Sequence, residues 1–426
     1  MNSEGFKETE IGFIPKNWEV RELSSLGKII TGKTPPTKEK DNFGPDYPFI
    51  TPRDMKGQKF ILKTERYLSE KGKNSVKNCF LPEGSICVSC IGSDMGKVVM
   101  NKRPSITNQQ LNSIVVDKIN PEFVYYALLN ISTRLKDLAH STAVPIINKK
   151  YFSMTKIALP SNLTEIDNIT AILSSLDAKI ENNNQMNSTL EAIGQSIFLH
   201  WFVNYEFPNE NGQPYKSSGG EMVNSELGEI PGGWNVVKAS DAIEINPKLK
   251  VDRKSEKIHV PMTGLSKTSM VITEFQKRKG SSGAKFQNYD TLFARITPST
   301  EHGKTAFIQF LKPDETAIGS TEFIVLRSRT LNPYYVYCLA RYENFRKHAI
   351  NSMTGTSGRQ RVQNECFNDY YIAQPDEKTL CKFADLMEPL FNQIHVQSNE
   401  NQNMAEIRDS ILPKLMSGRI RVKGSD

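Results

Sequence analysis

The stretch Gly27-Lys-Ile-Ile-Thr-Gly32-Lys33-Thr34 fits the phosphate-loop expression G-x-x-x-x-G-K-T letter for letter. Such a loop would hold a nucleotide's phosphates with backbone N–H groups, a lysine and a hydroxyl. It needs a buried strand before it and a helix whose first turn carries the lysine and threonine. Here Pro35 and Pro36 follow Thr34, which disfavours a helix starting there. The preceding Val20-Arg-Glu-Leu-Ser-Ser-Leu26 does not read as a buried strand. Nucleotide hydrolysis by a P-loop NTPase is therefore the alternative function, not the favoured one. Gly92-Ser-Asp-Met-Gly-Lys97 lacks one spacer and the final hydroxyl. Cys87-Val-Ser-Cys90 has metal- or redox-type spacing, but no second pair and no nearby histidine completes a zinc site. Alternation in Ser85-Ile-Cys-Val-Ser-Cys-Ile91 predicts a strand with buried structural cysteines.

Asn332-Pro-Tyr-Tyr335 has nearly the form of an amino-methyltransferase loop, yet no glycine-rich cofactor loop accompanies it. Its counterpart Asn120-Pro121-Glu-Phe123 reads the same way, as a capped helix start. No H-E-x-x-H, nucleophile elbow or nuclease carboxylate set is present, and His140, His200, His259, His302, His348 and His395 do not cluster. What remains is a set of basic and polar residues on turns between apolar runs. In the first half these are Lys33, Thr34, Arg53, Lys56, Ser93, Lys97, Asn108, Gln109 and Gln110. In the second they are Lys277, Arg278, Lys279, Lys285, Arg295, His302, Lys304, Ser320, Thr321, Arg359, Gln360 and Arg361. Such side chains read base edges and grip phosphates. Any single one could be ordinary solvated surface; their recurrence in both halves favours a DNA-binding set.

These turns must be positioned by something, and the chain supplies it twice. Glu10-Ile-Gly-Phe-Ile-Pro-Lys-Asn-Trp18 returns as Glu226-Leu-Gly-Glu-Ile-Pro-Gly-Gly-Trp234, an offset of 216. Asn120-Pro121 returns as Asn332-Pro333, an offset of 212. A period this long means tandem domains, since solenoid repeats run to roughly 20–50 residues. Residues 10–155 are turn-rich with short apolar runs, predicting a β-rich domain. The next segment changes character. Ile166, Ile169, Ile172, Leu173, Leu176 and Ile180, then Leu190, Ile193, Ile197, Trp201 and Phe202, fall at helical spacing and predict a long amphipathic helix over 163–203. Leu380, Phe383, Leu386, Leu390, Ile394, Met404, Ile407 and Ile411 predict a second over 378–416, with Pro389 as a potential kink. The packing seam is assigned to Ile169, Leu173, Leu176, Ile180, Leu190, Ile193, Ile197, Phe383, Leu390, Ile394, Met404, Ile407 and Ile411, on two helices packing together as a coiled coil. Between the halves, Pro208–Gly220 is polar and reads as flexible.

The expected divisions are 1–160, 161–205, 206–225, 226–374 and 375–426: β-rich domain, helix, linker, β-rich domain, helix. The 426 residues suffice for several domains. The formal net charge of +7 leans toward an anionic partner, although so modest an excess is common. No apolar run approaches the roughly 18 residues needed to span a membrane, and the polar start lacks a signal-peptide core, so a cytoplasmic location is expected.

Taken in order, Ile-Pro-x-x-Trp, Gly32-x-Thr34-Pro35, Gly84-Ser-Ile-Cys-Val-Ser, Tyr289-Asp-Thr-Leu-Phe-Ala-Arg295, Gly319-Ser-Thr-Glu-Phe323 and Gly355-Thr-Ser-Gly-Arg359-Gln-Arg361 cover essentially the whole chain. The pattern resembles the specificity subunit of type I restriction-modification systems, with the recognition subunit of a related type II enzyme or other defence system as a further alternative. That resemblance implies an α+β protein: two β-rich target recognition domains separated by two long antiparallel coiled-coil helices, with a pseudo-twofold internal repeat. Each domain would read half of a split sequence in double-stranded DNA. The helices would act as a spacer, so that one heptad shifts the gap by roughly 3 base pairs, and as a platform for modification subunits, two of them, and restriction subunits. The chain itself would be non-catalytic and hold no cofactor; S-adenosylmethionine, ATP and Mg would belong to the partner subunits. The sequence departs from the family at Thr164-Glu165-Ile166-Asp167, where a Glu-Gln pair is common, and more so at Pro375–Cys381.

Overall fold

A computed structural model describes residues 5–133, 135, 146–356 and 358–422. The chain divides into two compact units, one of residues 1–180 with 402–426 and one of 181–401. Among the described residues no helix is long and apolar enough to cross a membrane. His140 lies outside the described residues.

In the first unit the strands run, in chain order, β1 (Phe6–Thr9), β2 (Gly12–Pro15), β3 (Trp18–Glu22), β4 (Gly27–Thr31), β5 (Phe43–Ile50), β6 (Phe60–Ile61), β7 (Tyr67–Leu68), β8 (Phe80–Leu81), β9 (Ile86–Ser89), β10 (Val98–Asn101), β11 (Ser105–Thr107), β12 (Leu111–Val116) and β13 (Lys156–Pro160). The hairpin β1–β2 turns at Gly12, whose φ of 109° suits only glycine. β3 pairs with β13, the strand that leads into the first long helix. Two further sheets have the orders β4-β12-β9-β10-β6 and β7-β5-β11-β8. β5 and β11 are parallel. β9 and β10 are buried at every position, including Ser89 and Asn101, so the alternation read at Ser85–Ile91 does not separate a solvent face from a core face. Asn120 caps the helix Pro121–Asn130 by accepting the Glu122 N–H at 3.0 Å. Trp18, Phe123, Tyr126 and Phe152 share one core with Ile169 and Leu173 of the first long helix and Leu412 and Leu415 of the second.

The second unit repeats this plan with β14 (Met222–Ser225), β15 (Gly228–Pro231), β16 (Asn235–Lys238), β17 (Ile243–Ile245), β18 (Glu256–Val260), β19 (Gln276–Lys279), β20 (Ala284–Phe286), β21 (Thr291–Ala294), β22 (Thr305–Phe307), β23 (Ala317–Gly319), β24 (Phe323–Ser328) and β25 (Tyr371–Gln374). β14–β15 is the hairpin and β16 pairs with β25 before the second long helix. The sheets β17-β24-β21-β22 and β19-β18-β23-β20 match those of the first unit, with β18 and β23 as the parallel pair. The echoed tryptophans explain themselves in each unit. Trp18 Nε1 donates to Glu165 at 3.3 Å, and Trp234 Nε1 donates to Asp376 at 3.3 Å. Each buries a large ring against its hairpin and latches the start of a long helix.

The first long helix spans Leu163–Phe198 and closes in a π-helical turn, Leu199–Val203. The second spans Glu377–Met416 and runs through Pro389 uninterrupted. Within the first unit the two run antiparallel, with Asp177 accepting from Arg408 at 2.7 Å and Leu173 sharing a core with Leu412. Within the second they do so again. Asn183 donates to Glu400 at 2.8 Å and to Asn401 at 2.9 Å, and Gly194 lies against Met387 and Phe391. Ile169, Leu173, Phe383 and Ile394 are buried; Leu176, Ile180, Leu190, Ile197, Leu390, Met404 and Ile411 are half-buried. Ile193 and Ile407 are corrected: they are 42% and 51% exposed. The inward positions at those levels are Gly194 and Arg408, one residue on, about 100° around the helix. The segment after Phe207 is also not the loose linker its composition suggests. Phe207 stacks on Tyr215 and Trp234, with ring centroids 4.5 and 5.0 Å away, and Tyr215 donates to the Glu221 carbonyl.

Candidate nucleic-acid interface

In the first unit the candidate residues converge because short loops leave neighbouring strands at the same end. The loop after β4 lies on the loop after β11. Lys33 N–H donates to the Thr107 carbonyl at 2.9 Å, and Thr34 Oγ1 donates to Gln109 Oε1 at 2.6 Å. Gly32 permits this approach, since a Cβ there would sit 2.1 Å from the Asn108 carbonyl oxygen. The phosphate-loop expression thus falls on strand β4 and an irregular loop, and no helix begins at Lys33 or Thr34. The loop after β11 is braced from within: Gln110 N–H donates to Asn108 Oδ1 at 3.1 Å, and Asn108 Nδ2 donates to Gln110 Oε1 at 2.9 Å. Gln109 is left exposed at its tip. The loop after β9 joins through Cys90 N–H to the Gln110 carbonyl at 2.8 Å. It carries the exposed Ser93, and Lys97 paired with Asp94 at 2.7 Å. Arg53 and Lys56 follow β5 and are exposed; Asn108 N–H bonds the last carbonyl of that strand, Ile50.

The second unit repeats three of these bonds. Ser320 N–H meets the Val260 carbonyl, Glu322 N–H meets Ser320 Oγ, and Arg295 N–H meets the Glu322 carbonyl. Ser320-Thr321-Glu322 therefore stands where Asn108-Gln109-Gln110 stands. Ile296 bridges to Arg361 as Ile91 bridges to Ile146. Around this junction lie two adjoining hollows of about 450 and 280 Å³ that share Gly283 and Thr321. Lys248, Lys285 and Arg295 line the first, His259 and Arg278 the second, and no carboxylate lines either. Burial, and then the Arg278 guanidinium beside it, lower the His259 pKa and favour the neutral imidazole. Lys248 and His259 were not in the predicted set. His259 occupies a strand position that reads as core; Lys248 follows the turn dipeptide Asn246-Pro247, a signal that could have placed it in the set.

Several predicted residues are partly committed to internal contacts. Arg361 forms a two-pronged pair with Glu322 at 2.7 and 3.0 Å. Arg295 donates to the Val362 carbonyl at 2.8 Å. Lys304 donates to the Met262 carbonyl at 2.9 Å, and burial, then nearby Lys267, lower its pKa. Gln360 uses its backbone N–H on Thr297, while Arg359 and His302 are exposed. Lys277, Arg278 and Lys279 sit not on a turn but on β19, an edge strand exposed along its length. Cys87 and Cys90 are free and buried, and burial pushes their thiols up to about 12 and about 11. That suits packing, not reactivity. Asn332 caps its helix by accepting the Tyr335 N–H at 2.8 Å.

Comparison with known proteins accords with this geometry. Residues 15–192 match the type I restriction modification DNA specificity domain. The type I restriction enzyme MjaIX specificity subunit of Methanocaldococcus jannaschii is 31% identical over 437 residues, covering 98% of this chain and 97% of that one. The HindI specificity subunit of Haemophilus influenzae is 44% identical over 152 residues, 35% of this chain and 33% of that one. In fold, the chain is similar to the crystal structure of a type I restriction-modification S subunit from M. genitalium, with a TM-score of 0.53 at 14% identity, covering 96% and 97% of the two chains. Two copies of one β-rich plan, each latched to a long helix and presenting braced polar loops, and a match along nearly its whole length place this chain in the family of type I restriction enzyme specificity subunits, the non-catalytic components that recognise the DNA target.

Proposed function

We propose that this chain reads a split target in double-stranded DNA, one half-site per unit, and carries two S-adenosylmethionine-dependent modification subunits together with ATP- and Mg-dependent restriction subunits. The observation that carries the reading is the repeated loop junction. The same backbone bonds hold Asn108-Gln109-Gln110 in one unit and Ser320-Thr321-Glu322 in the other, with different side chains on each. A shared scaffold with unlike reading residues suits two half-sites of unlike sequence. One recognition domain makes few base contacts, and each mismatch costs about 1–3 kcal/mol, so two domains add their discrimination. The long helices are read as setting the gap: a matched heptad inserted in both adds about 10 Å, or roughly 3 base pairs.

The test is to co-express the chain with its neighbouring modification subunit in a host without other adenine methylation and to map the methylated positions. The expected result is one word of two fixed parts around an unspecified gap. A continuous word, or saturable ATP turnover by the purified chain that Lys33→Ala abolishes, overturns the proposal.

A further inference from the structure

We infer that Gln109 reads an adenine in the half-site of the first unit, and that the Thr34 hydroxyl steadies its side chain for that contact. The inference rests on the reading above, that this junction meets DNA bases, and adds which residue reads which base.

Residue 109 is the tip of the braced turn. Its flanks are fixed, Asn108 and Gln110 by their mutual bonds and by Cys90, so the tip is presented rigidly. The side chain is exposed, yet its orientation is held from one side by the Thr34 hydroxyl at 2.6 Å. Gly32 lets the Thr34 loop come that close. A free glutamine amide can rotate and offer either end. Here the carbonyl oxygen faces Thr34 and keeps a second lone pair, and the two N–H donors of Nε2 have no partner among the described residues. One acceptor beside free donors matches the N6–H donor and N7 acceptor of adenine in the major groove. Guanine presents two acceptors there, O6 and N7, and would set its O6 against the held carbonyl. Turning the amide would set the carbonyl against N7 instead, and the Thr34 hydroxyl, which can donate or accept, steadies the side chain in either case. The second unit offers no such device, since Thr321 stands at the tip and Glu322 is engaged by Arg361. The adenine contact belongs to one half-site only.

The experiment uses the full chain co-expressed with its partner subunits, with methylated words mapped for wild type, Gln109→Ala, Gln109→Glu and Thr34→Val. Binding of each purified protein to duplexes carrying every single-base variant of the wild-type word is measured alongside. Gln109→Ala is expected to relax one A·T position in one half-site, with discrimination there falling on the order of tenfold or more. Gln109→Glu is expected to move that position toward C·G, because a carboxylate accepts from cytosine N4. Thr34→Val should keep adenine preferred at the same position but lower the discrimination there alone, an outcome that simple loss of folding cannot produce. Uniform weakening across all sequences, relaxation at a G·C position, or unchanged words in all three variants overturns the inference. If exchanging residues 10–155 changes one half-word while these variants leave it untouched, the inference fails and the two-reader proposal stands. If the exchange changes both halves or neither, the proposal itself fails.

Discussion

Arg359 and Arg361 lie two residues apart on one turn and face different tasks. Arg361 is held by Glu322, and its loss would leave that carboxylate beside the reading junction without its counter-charge. Arg359 is exposed and its guanidinium bonds nothing among the described residues, which leaves it free for a phosphate. Arg359→Ala is expected to weaken binding to all duplexes alike and to reduce the salt slope by about 1, read from affinities across a salt series. Lys33 is exposed and engaged only through its backbone. Lys33→Ala should likewise lower DNA affinity without base preference, and ATP titration should give no saturable binding in either protein. At this scale the sequence was partly legible. Gly, Asn and Gln on turns announced the junction because turn chemistry is local. His259 was invisible because its role depends on Arg278, which reaches it only through the β18–β19 pairing. The commitment of Lys304 to a distant carbonyl was hidden for the same reason.

At the scale of elements, the helices and caps were legible because periodicity and Asn-Pro starts act within a turn or two. What hydropathy could not disclose is that polar residues occupy much of the seam. Asp177, Asn183 and Asn187 are buried, whereas Ile193 and Ile407 are exposed. Asp177 accepts from Arg408 at 2.7 Å and from Tyr126 Oη at 2.6 Å, so one carboxylate ties both long helices to the capped helix Pro121–Asn130 of the first unit. Asp177→Ala removes one partner from each of two groups, while Arg408 keeps Asp409 and the Tyr126 hydroxyl keeps Lys59. The expected cost is about 1–3 kcal/mol by urea unfolding. Combining it with Arg408→Leu should recover part of that loss, because the half-buried cation that lost Asp177 is then gone. Equal, additive losses in the double variant would mean that the two side chains act independently.

For the whole molecule, the repeat in sequence foretold a repeat in fold, because equal landmarks, Ile-Pro-x-x-Trp and Asn-Pro, mark equal joints. The structure adds where each β-rich region joins its long helix. β3 pairs with β13 and β16 with β25, so each such region leaves and returns through a single two-stranded seam. Replacing residues 10–155 by the aligned region of the MjaIX relative keeps β13 and both long helices and exchanges β3, with Trp18, along with every loop of the first junction. The incoming strand must pair with β13 and supply the tryptophan that meets Glu165. The exchange that spares β13 is expected to alter one half of the methylated word and leave the other half and the gap unchanged. The companion exchange of residues 226–370 should do the reverse. Methylome mapping of both hybrids reads this directly. A hybrid that changes the gap but keeps both half-words would mean that the exchanged region governs spacing rather than reading.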